Sequence, residues 1–190
     1  MGLKELIADS FGPDAAEAWA SFSPTEEQVR ALMDVGKEVL VHYPKSAGAC
    51  ALMSAVCTWR MEKLGLPPAY VVAGLLYVGQ TRVFGDGSSI DGRNRFSKSD
   101  LSWDGHAWIV WGDRLMDISI FRTAYSPGSP PALAAHVAEE FGPRKGLLIC
   151  KIESTIDRGL RYAPQYVLTQ DQVDAIARGA IAKITGTNSG

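Results

Sequence analysis

The stretch DGHAWIVWGDRLMDIS, residues 104–119, constrains this chain more than any other. Two apolar runs, HAWIVW and RLMDISI, flank Gly112-Asp113. Strand-forming residues on either side of a two-residue turn containing glycine specify a β-hairpin. Side chains alternate across a strand, and the turn fixes the pairing register. With the turn at 112–113, His106 faces Ser119 and Trp108 faces Asp117, and all four project from one face. His106 and Asp117 then become diagonal neighbours, about 7–8 Å apart at the backbone and within side-chain reach. An otherwise apolar hairpin thus brings an imidazole and a carboxylate together. A turn shifted by one residue would separate them onto opposite faces.

Caps and breaks punctuate the rest of the chain. Residues 3–9 and 14–20 read as short helices split by Gly12-Pro13. SPTEEQVRALMDVGKEVLVHY follows, with Ser23 as N-cap, Pro24 at the first helical position and Glu26 three residues after the cap. Val29, Leu32, Met33, Val39 and Leu40 supply its apolar side, and Pro44 ends it. The next helix spans roughly 48–64, with Gly65 as a C-cap signal and Pro67-Pro68 just beyond. AYVVAGLLYVG, 69–79, is a β-branched and aromatic run bounded by glycine, hence a strand. Residues 80–103 are mostly polar and read as a long loop or a ragged hairpin.

A helix near 131–141 comes next, then a buried strand at KGLLICKIE. RYAPQYVLT is a further strand, which Pro164 keeps at an edge or breaks. Thr169 and Gln172 form a capping box for a last helix near 170–184. This order specifies an α+β chain, one antiparallel sheet packed by helices. A length of 190 residues fits a single domain. Its expected parts are a helical N-terminal region (1–45), a catalytic core (46–119) and a C-terminal helix-strand-helix elaboration (120–190).

Composition narrows the function classes. The formal net charge is −2 and no basic stripe is visible, so no nucleic-acid partner is expected. No apolar run approaches the roughly 18 residues a membrane helix needs, so no membrane partner is expected either. The opening MGLKELIADSFGPD lacks the apolar core of a signal peptide, and a cytoplasmic location is expected. Cys50, Cys57 and Cys150 form an odd set without a C-x-x-C pair, which argues against a disulfide framework. His42, His106 and His136 lack metal-ligand spacing, so no metal is expected. Nothing marks a nucleotide site, so no cofactor is expected.

Cys50 stands just inside the start of its helix. Backbone N–H groups there are unpaired and the helix dipole is positive; both favour thiolate over thiol. The small residues of SAGA leave the sulfur accessible. A thiolate needs a partner that accepts and returns protons, and imidazole is the usual one. His106 can supply it, with Asp117 orienting the ring. Cys57, seven residues on, is the rival nucleophile, but it is mid-helix beside Val56 and Trp59 and reads as core. Cys150, in LLICKI, reads as core as well. His42 and His136 read as helix-surface residues.

The succession Cys50, Leu64-Gly65, Val72-Ala73-Gly74, His106-Ala107-Trp108 and Asp117 resembles the transglutaminase-like superfamily. The short His-to-Asp hairpin is similar to that of the bacterial cysteine proteases that mature lasso peptides. The resemblance covers about 48–119. It implies a papain-like fold, with N-terminal helices and a central catalytic helix packed on an antiparallel sheet. It implies Cys50 as nucleophile, His106 as general base and then acid, and Asp117 as the group that orients the imidazole. The implied partner is a peptide or amide-bearing substrate. Release by water makes a thiol peptidase or amidase; release by an amine makes a transglutaminase or N-acyltransferase. A catalytically silent binding domain can keep the same fold. Water needs no second-substrate site and none is legible, so hydrolysis is expected first. Trp108 is expected mainly to pack, and also to wall the substrate cleft. Many relatives carry a polar oxyanion-binding side chain upstream of the cysteine. His42, Tyr43, Lys45 and Ser46 are the candidates here and none matches that pattern, which leaves the Cys50 N–H as one donor.

Overall fold

The computed structural model describes residues 1–43, 49–96, 103–143 and 145–185, with side chains to 182. Three helices lead: α1 (Leu3–Phe11), α2 (Pro13–Ser21) and α3 (Glu26–His42). Helix α4 (Cys50–Lys63) precedes strands β1 (Tyr70–Val78) and β2 (Thr81–Phe84) and the short α5 (Gly92–Arg95). The hairpin β3 (His106–Trp111) and β4 (Arg114–Asp117) follows, then α6 (Ile120–Ala124) and α7 (Pro131–Glu140). The chain closes with β5 (Leu148–Lys151), α8 (Ser154–Asp157), β6 (Leu160–Val167) and α9 (Gln170–Thr185).

All strand pairings among the described residues are antiparallel. β1 is the hub. One of its edges pairs with β6 from Val72 to Val78. The other is shared end to end: β3 pairs with Tyr70–Gly74 and β2 with Leu76–Val78. β4 and β5 continue beyond β3. The hairpin has the register expected from its turn, with Trp111 opposite Arg114, Val110 opposite Leu115 and Ile109 opposite Met116. Gly112 takes a positive φ of 55° there, the conformation a tight turn asks of its first residue.

Helices cover both faces. Leu6 and Ile7 of α1, Phe121 of α6 and Leu133 and Val137 of α7 pack on the face carrying Val72, Leu76, Trp108, Val110 and Leu115. On the other face, Leu32 and Val35 of α3 and Met53, Cys57 and Met61 of α4 meet Ile109, Trp111 and Met116. The α+β reading with one antiparallel sheet is therefore met.

Local details differ from the sequence reading. Helix α3 is capped by Thr25, not Ser23, through a reciprocal box with Gln28. Both residues fit the cap pattern, but the Thr25 register puts Glu26 and Glu27 in the first turn, where the helix dipole favours carboxylates. Pro44 lies outside the described residues. The described part of 80–103 is not a plain loop: Gly79-Gln80 turns β1 back into β2, and the short α5 follows. Pro164 sits in β6 next to a bulge at Gln165, on a strand that pairs only with β1 among the described residues, the edge position a residue without an N–H tolerates.

Candidate active site

Five side chains meet on the face of the sheet that carries Trp108. Cross-strand pairing explains the meeting. Val72, Gly74 and Leu76 of β1 point to one face, and opposite them stand Trp108, His106 and Phe84. The His106 ring therefore lies in a file between Phe84, with centroids 5.2 Å apart and planes 19° apart, and Trp108, at 6.3 Å and 25°. Gly74 makes room beneath. A Cβ there would lie 2.1 Å from the Ala163 carbonyl oxygen and 2.9 Å from the Trp108 ring.

Asp117 ends β4 and governs the turn into α6. Its Oδ1 accepts from the Ser119 N–H at 3.0 Å, the Ser119 hydroxyl at 3.1 Å and the Ile120 N–H at 2.9 Å. These contacts satisfy amides that a helix start leaves unpaired, and they lock the carboxylate's orientation. Oδ2 points back across the hairpin, 2.5 Å from His106 Nε2. It also accepts from the Tyr162 hydroxyl at 2.9 Å. The imidazole is 1 % exposed and the carboxylate fully buried.

Burial alone would raise Asp117's pKa. The charge and hydrogen bond of His106, with the Ser119 amide and Tyr162, outweigh it and hold the carboxyl below its ordinary value. Burial likewise pulls the His106 pKa down. The charge and hydrogen bond of Asp117, then the hydrogen bond and charge of Cys50, reverse this and carry the ring up to about 10. The buried pair is thus an imidazolium facing a carboxylate at neutral pH.

Cys50 is the first residue of α4, and Ala49 precedes it as N-cap. Its thiol lies close enough to His106 to help raise the pKa of the ring. Asp117 engages Nε2, which leaves Nδ1 as the ring nitrogen without that partner. All three thiols are buried, Cys50 included, so its sulfur is less accessible than the small residues before it suggest; among the described residues, the other two lack an imidazole beside them. Cys57 is fully buried with its sulfur 3.9 Å from the Met116 sulfur, and burial pushes its pKa up to about 12. Burial also raises Cys150, on β5. A buried thiol with a raised pKa is a poor nucleophile.

Trp108 is 2 % exposed and belongs to the core beneath His106, edge-to-face on Tyr162 with centroids 5.1 Å apart. Its place is under the imidazole rather than along an open cleft. His42 is exposed at the end of α3. Tyr43 caps the same helix, and its carbonyl accepts from Arg122 of α6. Lys45 and Ser46 lie outside the described residues. His136 pairs with the Arg158 carbonyl, away from the site.

A cavity of about 430 Å³ opens at the start of β3, with none of Cys50, His106, Asp117 or Tyr162 in its lining. Gly105, which immediately precedes His106, lines it, and so do Ile90 and Trp103. The last two also pack against the cluster holding Cys50, Ala51 and Phe96. A Cβ on Gly105 would lie 2.0 Å from the Trp103 ring, so glycine is what lets the indole close over this strand start.

Sequence reasoning missed Tyr162 and Phe84. Only Ser119 gave a signal, as the residue opposite His106. Among the described residues no group of three or more His, Cys, Asp or Glu is placed to hold a metal ion. No described helix is long and apolar enough to cross a membrane. The chain matches no protein-family model, no curated protein and no solved structure.

Proposed function

We propose that this protein is a cysteine-dependent acyl-transfer enzyme of the transglutaminase-like, papain-like type, acting first as a hydrolase on peptides or amides. The observation that carries the reading is the buried His106–Asp117 pair with the Cys50 thiol near it at the start of a helix. Isolated cysteines and core histidines do not need this arrangement; covalent catalysis does. The cavity at Gly105 gives a substrate a place at the start of the strand that carries His106.

In the proposed reaction, His106 holds the proton taken from the Cys50 thiol. The sulfur adds to the acyl carbon, and the carbonyl π electrons move to oxygen. The Cys50 N–H is one donor for that oxyanion. As the C–N bond breaks, His106 gives its proton to the leaving amine, and a thioester on Cys50 results. Water, deprotonated by His106, attacks the thioester; the acid leaves and the thiol is restored. Asp117 stays ionised throughout and keeps the imidazolium in one orientation.

The test uses the whole protein. Iodoacetamide near neutral pH should modify Cys50 well before Cys57 and Cys150, as followed by peptide mass spectrometry. p-Nitrophenyl acetate should leave an acetyl group on Cys50 that Cys50→Ala never acquires. Equal or slower labelling of Cys50 would overturn the reading. Adding an amine such as glycine ethyl ester separates hydrolysis from transfer: hydrolysis predicts acetate as product, transfer predicts the N-acetyl amine.

A further inference from the structure

We propose that Tyr162 is a positioning residue of this site: it shares Asp117 Oδ2 with His106 and thereby sets how strongly the carboxylate holds the ring. Its catalytic meaning rests on the acyl-transfer reading, but its effect on His106 does not.

Tyr162 lies on β6, opposite Leu76 of β1, and so projects from the same face as His106, Trp108 and Asp117. To reach Asp117 it must cross β1 and β3. Gly74 lets the Trp108 ring lie close against β1, and Trp108 clamps the phenol ring edge-to-face. The hydroxyl meets Oδ2 at 2.9 Å, and the imidazole meets the same oxygen at 2.5 Å. Two donors on one oxygen occupy both of its lone-pair directions. The carboxylate can then neither rotate away nor turn its other oxygen to the ring, because Oδ1 is held by Ser119 and Ile120. With Oδ2 an acceptor from both sides, Nε2 carries a proton and Nδ1 is left for Cys50.

The phenol is a constant donor. Burial, and then the charge of Asp117, raise its pKa well above the ordinary value, so it keeps its proton across the working range. The other ionisable groups around the carboxylate are His106 itself on β3 and Cys150 on β5, with Arg114 of β4 and Arg158 beyond Cys150. Cys50 of α4 is the other ionisable group acting on the ring.

Removing a donor from a buried carboxylate concentrates its charge on the bonds that remain. In Tyr162→Phe the carboxylate should therefore grip the imidazolium more tightly, and His106 should titrate higher. Mere loosening of the packing would do the opposite, since water entering the site relaxes His106 toward its ordinary 6.5.

The experiment is an NMR titration of the His106 ring in the full chain. Tyr162→Phe should move its pKa up by about one unit, the tenfold change expected when one hydrogen bond to a charged group is lost. In an Asp117→Asn background the same substitution should change nothing further. 4-Aminophenylalanine at 162, a weaker donor of nearly the same shape that does not lose a proton in this range, should also move His106 up; it decides alone if the phenylalanine variant fails to fold. An unchanged or lowered value in Tyr162→Phe, a downward shift with 4-aminophenylalanine, or an equal shift without Asp117 would each overturn the proposal. Iodoacetamide labelling of Cys50 in the unaltered protein is measured alongside. Slow labelling there would sink the acyl-transfer reading while the ring titration still decides the role of Tyr162.

Discussion

Asp117 accepts from the Ser119 amide and hydroxyl and the Ile120 amide on one oxygen, and from His106 and Tyr162 on the other. A buried carboxylate so placed is held as an anion, and its value to His106 is that charge. In Asp117→Asn the size stays and the charge goes. His106 should lose its raised pKa, and turnover of an activated ester should fall on the order of 10³–10⁴-fold, as expected when the orienting carboxylate of a triad is neutralised. Stability should follow with a defined sign. His106, raised in the folded state, contributes stability that is complete below its ordinary 6.5 and fades as pH climbs toward about 10. Asp117, lowered in the folded state, contributes stability present above its ordinary 3.8 and lost as pH falls below it. Denaturant unfolding of the parent and Asp117→Asn should therefore differ most between about pH 4 and 6.5, and less on either side. His106 and Asp117 were legible together because one hairpin holds both and parity alone puts them on one face. Tyr162 was not: it stands 45 residues from Asp117 along the chain, and only the pairing of β6 on β1 brings it near.

At the level of the elements, the hairpin turns at Gly112-Asp113 as the sequence indicates, whereas α3 starts from Thr25 and not from Ser23. Thr25 exchanges hydrogen bonds with Gln28 at 3.3 and 2.9 Å. Thr25→Ala should then cost about 1 kcal/mol in thermal or denaturant unfolding, while Ser23→Ala should be nearly neutral. A larger effect at Ser23 would reverse the assignment. Gly74 was read only as part of a Val-Ala-Gly strand pattern. Its actual constraint is a close approach, since the Ala163 carbonyl and the Trp108 ring occupy the space of a methyl group. One obstacle is backbone and the other a buried indole, so neither yields cheaply. Gly74→Ala should destabilise the fold by about 1–3 kcal/mol, measurable as a lowered denaturant midpoint. Short elements such as α5, α6 and α8 escaped the sequence reading because four or five residues carry too little periodicity to register.

Across the whole molecule, the sheet separates two helix layers, and the candidate site forms where the first residue of β3 meets the first residue of α4. That meeting is tertiary, and the sequence could supply only its two halves. The outer strand β6 has a consequence of another kind. The exposed side of a strand is a template on which further chains can line up, and long regular edges invite fibrils. Pro164 withdraws one N–H from β6, and the bulge at Gln165 breaks the even spacing that a docking strand would need. Pro164→Val restores both the donor and a β-forming residue. It should raise self-association of the concentrated protein, visible as growth in light scattering at a concentration where the parent stays unchanged. The kink that brings β6 alongside Gly74 would then also be a guard against intermolecular sheet growth, so the residues that shape the chemistry would help keep the protein dispersed.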